Sequence, residues 1–131
     1  MNITAFQLAQ RLVGIAEIPG TVNNPLILAM LKLDQPWPTD DEVAWCSAMC
    51  NFVAWLLRLP RSKSLRARSW LGVGAAVELP YAQAAFDVVI LGRGREPHAP
   101  ASDLTAPGHV GFYAGHDRDS VLVLGGNQGD R

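Results

Sequence analysis

Three residues of this chain carry groups that nucleophilic catalysis uses, in the order Cys46, His109, Asn127. A thiol attacks as its thiolate, so a cysteine nucleophile needs its pKa lowered. The unpaired N–H groups and dipole of a helix N-terminus do this, and a nearby imidazolium adds to it. Cys46 stands where the strongest helical pattern of the chain begins. The same first-turn N–H groups offer donors for an oxyanion. His109 is the candidate base, and a base needs a third group to fix its tautomer and orientation. Asn127 is the first choice for that third group, with Gln128 second. Each residue alone has a plainer reading: a cysteine in an apolar stripe is most often packing, a strand histidine is most often structural, and an asparagine after two glycines is most often a turn residue. The coincidence of all three in this order is what points to chemistry.

The pattern around these residues predicts how they are positioned. Thr4 caps a first helix running to about Glu17, with Phe6, Leu8, Ala9, Leu12, Val13 and Ala16 at helical spacing. Asn23-Asn24-Pro25 starts a second helix, whose apolar face is Leu26, Ile27, Met30, Leu31 and Leu33. Trp45 to Leu59 is the third, with Cys46, Met49, Cys50, Val53 and Leu57 on one stripe and Pro60 closing it. Ser69 to Gly72 forms a short turn. From Phe86 the period changes: 86–91 reads as a buried strand, 108–114 as a second and 121–124 as a third, joined by a hairpin turn at 117–119. On the second strand His109, Gly111 and Tyr113 share one face, and Val110 and Phe112 the other. Gly108 and Gly111 let another backbone or a substrate approach closely. Helices followed by an antiparallel sheet make an α+β domain spanning 1–131.

Composition narrows the function classes. The 131 residues are 49% hydrophobic and 18% charged, enough to build one core and too apolar for a disordered chain. A net charge of −1 does not suit a nucleic-acid binder. No apolar run reaches a membrane span, and the start of the chain lacks the basic-then-apolar pattern of a signal peptide, so synthesis in the cytoplasm is expected. The only cysteines, Cys46 and Cys50, are four apart in one helix, a poor disulfide geometry. The three histidines do not cluster with them, so a structural zinc site is not expected; no cofactor is expected either. Arg58, Arg61, Lys63, Arg66 and Arg68 form a run without an acid between Glu42 and Glu78, read first as a solvated loop and second as attraction to anionic polymer or lipid. Trp37, Trp45 and Trp70 are candidates for lining a substrate groove. Asp41, with Asp40 and Glu42, is a candidate for holding a substrate amine, although such charges oppose thiolate formation.

The order of elements and reactive residues resembles the papain-like cell-wall hydrolases, the CHAP amidohydrolase/peptidases and NlpC-type endopeptidases. The segments resemble most a small phage and prophage group of that kind, through Glu17-Ile18-Pro19-Gly20, Asn24-Pro25-Leu26-Ile27-Leu28, Val43-Ala44-Trp45-Cys46-Ser47-Ala48, Ala67-Arg68-Ser69-Trp70-Leu71, Gly108-His109-Val110-Gly111-Phe112-Tyr113 and Leu124-Gly125-Gly126-Asn127-Gln128. The resemblance implies a papain-like fold and metal-free hydrolysis of peptidoglycan through a thioester acyl-enzyme. It implies Cys46 as nucleophile and His109 as base. Where CHAP members often carry Glu-x-Asn this chain has Gly125-Gly126-Asn127, so only the amide matches. Phe86-Asp87-Val88 stands where Gly-Asp-Val is common. The resemblance also implies one more strand after Asn127, which a chain ending at Arg131 would lack. The expected protein is a monomer that acts on the cell wall after release or export by another factor. Its rivals are another thiol enzyme on the same scaffold, such as a deamidase or transferase acting on protein, and a non-enzymatic phage-particle module with a decayed site.

Overall fold

The computed structural model describes residues 3–15, 24–36, 45–92 and 108–126. Among them lie three α-helices, α1 (Ala5–Gln10), α2 (Pro25–Leu31) and α3 (Cys46–Leu56). Two 3-10 turns follow, at Ala67–Gly72 and Leu79–Tyr81. Three strands come after them: β1 (Val88–Gly92), β2 (Gly108–His116) and β3 (Val121–Leu124). The protein is thus of the α+β class, with helices packed on an antiparallel sheet of order β1-β2-β3.

The first two helices begin where their caps require. Thr4 Oγ1 accepts the Gln7 N–H at 3.1 Å and Gln7 Oε1 accepts the Thr4 N–H at 2.9 Å, a reciprocal capping box. Asn24 Oδ1 accepts from Leu26 N–H at 3.0 Å, with Pro25 in the first turn. α1 is shorter than its apolar spacing predicts. After Gln10 the chain tightens into i→i+3 bonds, Leu12 N–H to Ala9 O at 2.9 Å and Val13 N–H to Gln10 O at 3.3 Å, which end the helix. Residues 16 and 17 of that expectation lie outside the described residues.

β2 is the middle strand and meets α3 on one side. Val110 and Phe112 are 0% and 2% exposed and join the core formed by Ile27, Met30, Leu31, Met49, Cys50 and Val53. Burial of each such side chain contributes roughly 1.5–3 kcal/mol. The β1 register runs from Val88↔Phe112 to Gly92↔Gly108. β1 starts two residues later than expected, because the Asp87 carboxylate accepts the Gln83 N–H at 2.8 Å and holds a turn there. It is half-buried, not buried, since an edge strand is covered on fewer sides. β3 pairs with β2 from His116↔Val121 to Phe112↔Leu124, across a bulge between Tyr113 and Gly115. The turn between them forms at Asp117, whose Oδ1 accepts from Asp119 and Ser120 N–H at 2.9 and 2.8 Å.

α3 is buried well beyond its expected stripe. Ser47, Ala48, Asn51 and Ala54 are also buried, because α1 and α2, the sheet and the segment 62–70 close around it. Two of these residues are polar and bind that segment. Ser47 Oγ donates to Ser64 O at 2.6 Å and accepts from Trp70 Nε1 at 2.9 Å. Asn51 Nδ2 donates to Ser64 O at 3.0 Å, and its Oδ1 accepts the Lys63 N–H at 3.0 Å. Among the described residues no buried side-chain polar atom lacks a partner. Asn51→Ala strips the Lys63 N–H and Ser64 carbonyl of their partner and is expected to lower unfolding free energy by about 1–3 kcal/mol. A urea midpoint unchanged from wild type would remove this network from the account of stability.

Candidate active site

Cys46 occupies the first helical position of α3, following Trp45 as N-cap. Trp45 supplies no side-chain cap bond, in contrast to Thr4 and Asn24 on the other two helices. Met49 N–H donates to Trp45 O at 3.0 Å, which leaves the N–H groups of residues 46–48 without an acceptor inside the helix. The Ser47 N–H donates to the Cys46 sulfur. The helix start is thus built to face an anion.

β2 brings the other partners. His109 is its second residue, opposite Leu91 of β1, and its ring is hydrogen-bonded to the Cys46 thiol. The Val110 N–H also donates to the sulfur. Alternate residues of a strand point their backbone groups to opposite neighbours. Tyr113 N–H points toward β1, where it meets Asp87 O at 2.9 Å, so the N–H of Val110 points toward the β3 side. Pairing with β3 ends at Phe112↔Leu124, and the edge of β2 at Val110 faces the start of α3 instead. The sulfur therefore receives two backbone donors, one from its own helix and one from the strand that carries the base.

Electrostatics follow from this arrangement. Burial is the largest single influence on Cys46 and pushes its pKa up. The His109 hydrogen bond, the Val110 N–H, the His109 charge and the Ser47 N–H act the other way, and together they hold the thiol below an ordinary cysteine. One turn on, Cys50 has none of these donors. Burial, and then the charge of Cys46, push its thiol well above the ordinary value. Both cysteines are free and buried, and only Cys46 is poised to ionise.

Two glycines allow the close approaches on which this geometry rests. A Cβ at Gly108 would lie 2.9 Å from Leu91 O and 3.0 Å from Arg68 Cγ. Arg68 is 4% exposed in the Ala67–Gly72 turn, with its stem against the residue that precedes His109. This corrects the reading of Arg61 to Arg68 as a solvated loop: Arg68 is part of the floor beneath β2, and Arg61 is ion-paired with Asp34. Nothing in the sequence distinguished Arg68 from its neighbours except its place one residue before Ser69-Trp70. A Cβ at Gly126 would lie 2.6 Å from two ring carbons of Trp45. The residue before Asn127 is thus against the residue before Cys46.

The remaining site candidates divide. Trp45 and Trp70 are 2% and 4% exposed, so their rings serve packing. Trp70 also fixes Ser47 through its Nε1. Asp41, Asn127, Gln128 and Trp37 lie outside the described residues. Tyr113 and His116 are hydrogen-bonded to each other, hydroxyl to Nδ1. A cavity of about 560 Å³ with a largely apolar wall, including Ala54, Val73, Phe86, Ile90 and Phe112, opens elsewhere; neither Cys46 nor His109 lines it. No family model, curated protein or solved structure matches the chain.

The two cysteines should separate in an alkylation experiment. Cys46 should react with iodoacetamide faster than a free model thiol at neutral pH, with Cys50 unmodified in the folded protein. A lowered pKa places the rise of rate with pH below that of a free thiol. His109→Ala removes lowering influences and leaves burial, so the rise should move to higher pH, by roughly tenfold in thiolate fraction for each unit. An unmoved profile would show that His109 does not act on the sulfur. Gly108→Ala forces a Cβ against the Leu91 carbonyl, which must displace the start of β2. It should slow Cys46 alkylation at pH 7 while circular dichroism stays close to wild type. An unchanged rate would mean that β2 need not hold this register for His109 to reach Cys46.

Proposed function

We propose that the chain is a cysteine hydrolase that cleaves a peptide or amide bond of peptidoglycan, with Cys46 as nucleophile and His109 as base. The observation that carries the thiol chemistry is the Cys46–His109 hydrogen bond at the start of α3, with the thiol held below its ordinary pKa in spite of burial. The substrate class rests on the resemblance of the segments around Cys46, His109 and Asn127 to CHAP and NlpC-type cell-wall hydrolases, whose papain-like fold the reading adopts.

In this reading the Cys46 thiolate attacks the amide carbon and forms a C–S bond, and the carbonyl electrons move to oxygen. First-turn N–H groups of α3 receive that oxyanion. Protonated His109 gives its proton to the departing amine as the C–N bond breaks, leaving a thioester. His109 then takes a proton from water, whose oxygen attacks the thioester, and the thiolate departs from the carboxylic acid product. Asn127 orients the imidazole as an amide, with no carboxylate needed. Asp41 is the remaining candidate for holding an amine of the peptide stem. Trp45 and Trp70 support the site from beneath instead of binding glycan. The setting proposed is phage or prophage lysis or wall remodelling by a monomer made in the cytoplasm and carried to the wall by another factor.

A deep apolar pocket at the thiol would favour a deamidase or transferase acting on protein. The apolar cavity is not lined by Cys46 or His109, so it lends that reading no support. The test is digestion of isolated sacculi. Wild-type protein is expected to release soluble fragments, and Cys46→Ala to release none above background. Equal release by the two would overturn the mechanism. Fragment masses separate cleavage at the sugar–peptide junction from cleavage within the stem. Asn127→Ala should lower the rate by about a hundredfold, the lower end of the range for assisted proton transfer; a wild-type rate would remove it from the site.

A further inference from the structure

The end of α3 opposite Cys46 carries a surface that the hydrolase reading leaves unused. Trp55 and Leu56 are 48% and 47% exposed there, roughly 15 Å along the helix axis from the nucleophile at 1.5 Å per residue. Trp55 leans on Phe52 with ring centroids 6.1 Å apart, which fixes the orientation of the exposed ring. Past the helix end the chain turns back through Arg58. Leu59 N–H donates to Ala54 O at 2.8 Å and Arg58 N–H to Trp55 O at 3.2 Å, the paired bonds of a Schellman closure. Arg58 has φ 57, a left-handed conformation in which glycine is the unstrained choice. The position holds an arginine nonetheless, and it is exposed. Among the described residues Lys63 is the other non-glycine residue with positive φ, also exposed, and its N–H binds Asn51 one turn before Trp55.

Charge around this apolar pair is one-sided. Trp55, Leu56, Arg58, Leu59 and Arg61 line one shallow concavity. Arg61 is neutralised by Asp34, while the sequence has no aspartate or glutamate between Glu42 and Glu78. An exposed tryptophan and leucine with the exposed cations Arg58 and Lys63, and with the nearby acid Asp34 taken up by Arg61, match the two requirements of a bilayer surface. The tryptophan ring sits at the headgroup level and the leucine reaches the acyl boundary, while the cations meet anionic headgroups. A soluble anionic polymer would use the cations and gain nothing from Trp55 and Leu56.

We propose that the C-terminal end of α3 is a peripheral docking surface for an anionic lipid bilayer. It grips the headgroup layer through Trp55, Leu56, Arg58 and Lys63. The site at the other end of the helix stays clear of the lipid. The surface does not depend on the hydrolase reading, and binding is expected to be the same for Cys46→Ala as for wild type.

Co-sedimentation with vesicles tests it, using phosphatidylcholine alone and phosphatidylcholine mixed with phosphatidylglycerol. Binding is expected to the mixed vesicles only, and to weaken as salt is raised. Trp55→Ala and the double variant Arg58→Ser/Lys63→Ser should each lower the fraction bound about fivefold or more. Arg58→Gly removes the charge and relieves the left-handed strain, so it should raise the melting temperature while weakening binding, an outcome that separates docking from folding. Equal binding to neutral vesicles, or no binding to either kind at low salt, would overturn the proposal. So would binding that Trp55→Ala leaves intact and polyglutamate competes away, which would assign the cations to a soluble polymer.

Discussion

The structure depends on a helix that is buried on almost every side and yet carries two polar side chains in its interior. Ser47 and Asn51 are 0% and 2% exposed. Unpartnered, each would cost as much as several good contacts contribute. Their partners come from one segment, 62–70, which has little apolar content of its own to hold it in place. Ser64 O accepts from both, and Trp70 Nε1 donates to Ser47. The network therefore fixes a loop that hydrophobic packing alone would leave free to slide. Through that loop it fixes Arg68 beneath Gly108. The residue that follows Cys46 thus helps to define the floor under the residue that precedes His109, so the nucleophile and the base are tied together by more than their own contact.

Within this frame the helix sorts two chemically identical groups. Cys46 and Cys50 are four residues apart and both buried, and their thiols shift in opposite directions. Burial alone would raise both. The difference is made by donors: the first turn of a helix has N–H groups without internal acceptors, and β2 presents Val110 N–H and His109 because β3 stops pairing at Leu124. A fully zipped sheet would use the Val110 N–H in its own ladder. The incomplete pairing at this corner is what gives the sulfur its second backbone donor. Past Leu124 the described chain leaves the sheet, and Gly126 lies against Trp45.

Much of this was legible in the residue pattern, for definite reasons. Thr4, Asn24 and Asp117 act through their nearest neighbours in sequence, and local hydrogen bonds leave local signatures. The apolar stripe of α3 and the β-branched strands are periodic, so the class and the order of elements could be read. Cys46 at the first helical position and His109 near the start of β2 follow from those boundaries. The parts that escaped are those that depend on distant chain. Trp45 and Trp70 resemble groove aromatics in sequence, but only the tertiary packing shows them buried. Arg68 looks like one more charge in a basic run, and its burial is decided by Gly108, forty residues on. The donor role of Val110 depends on where a third strand stops, which no periodicity encodes. The apolar spacing of the first helix overstates α1, because it continues past the point where the backbone tightens.

The two ends of α3 show how one helix can serve opposite electrostatic needs. At its start the dipole is positive, side-chain capping is absent, and an ionisable thiol takes the place a capping oxygen would otherwise hold. At its end the dipole is negative, and Arg58 stands just past the last turn, where a cation is favoured. A glycine would relieve the backbone at that position, by about 1 kcal/mol. The arginine offsets part of that strain through the helix dipole, and its guanidinium remains exposed beside Trp55 and Leu56. Retaining a strained cation next to an uncovered aromatic is hard to account for by stability of the isolated domain alone, because both features lower it or leave it unchanged. They are consistent when the surface they form has a partner outside the chain, and when that partner must stay a helix length away from the sulfur.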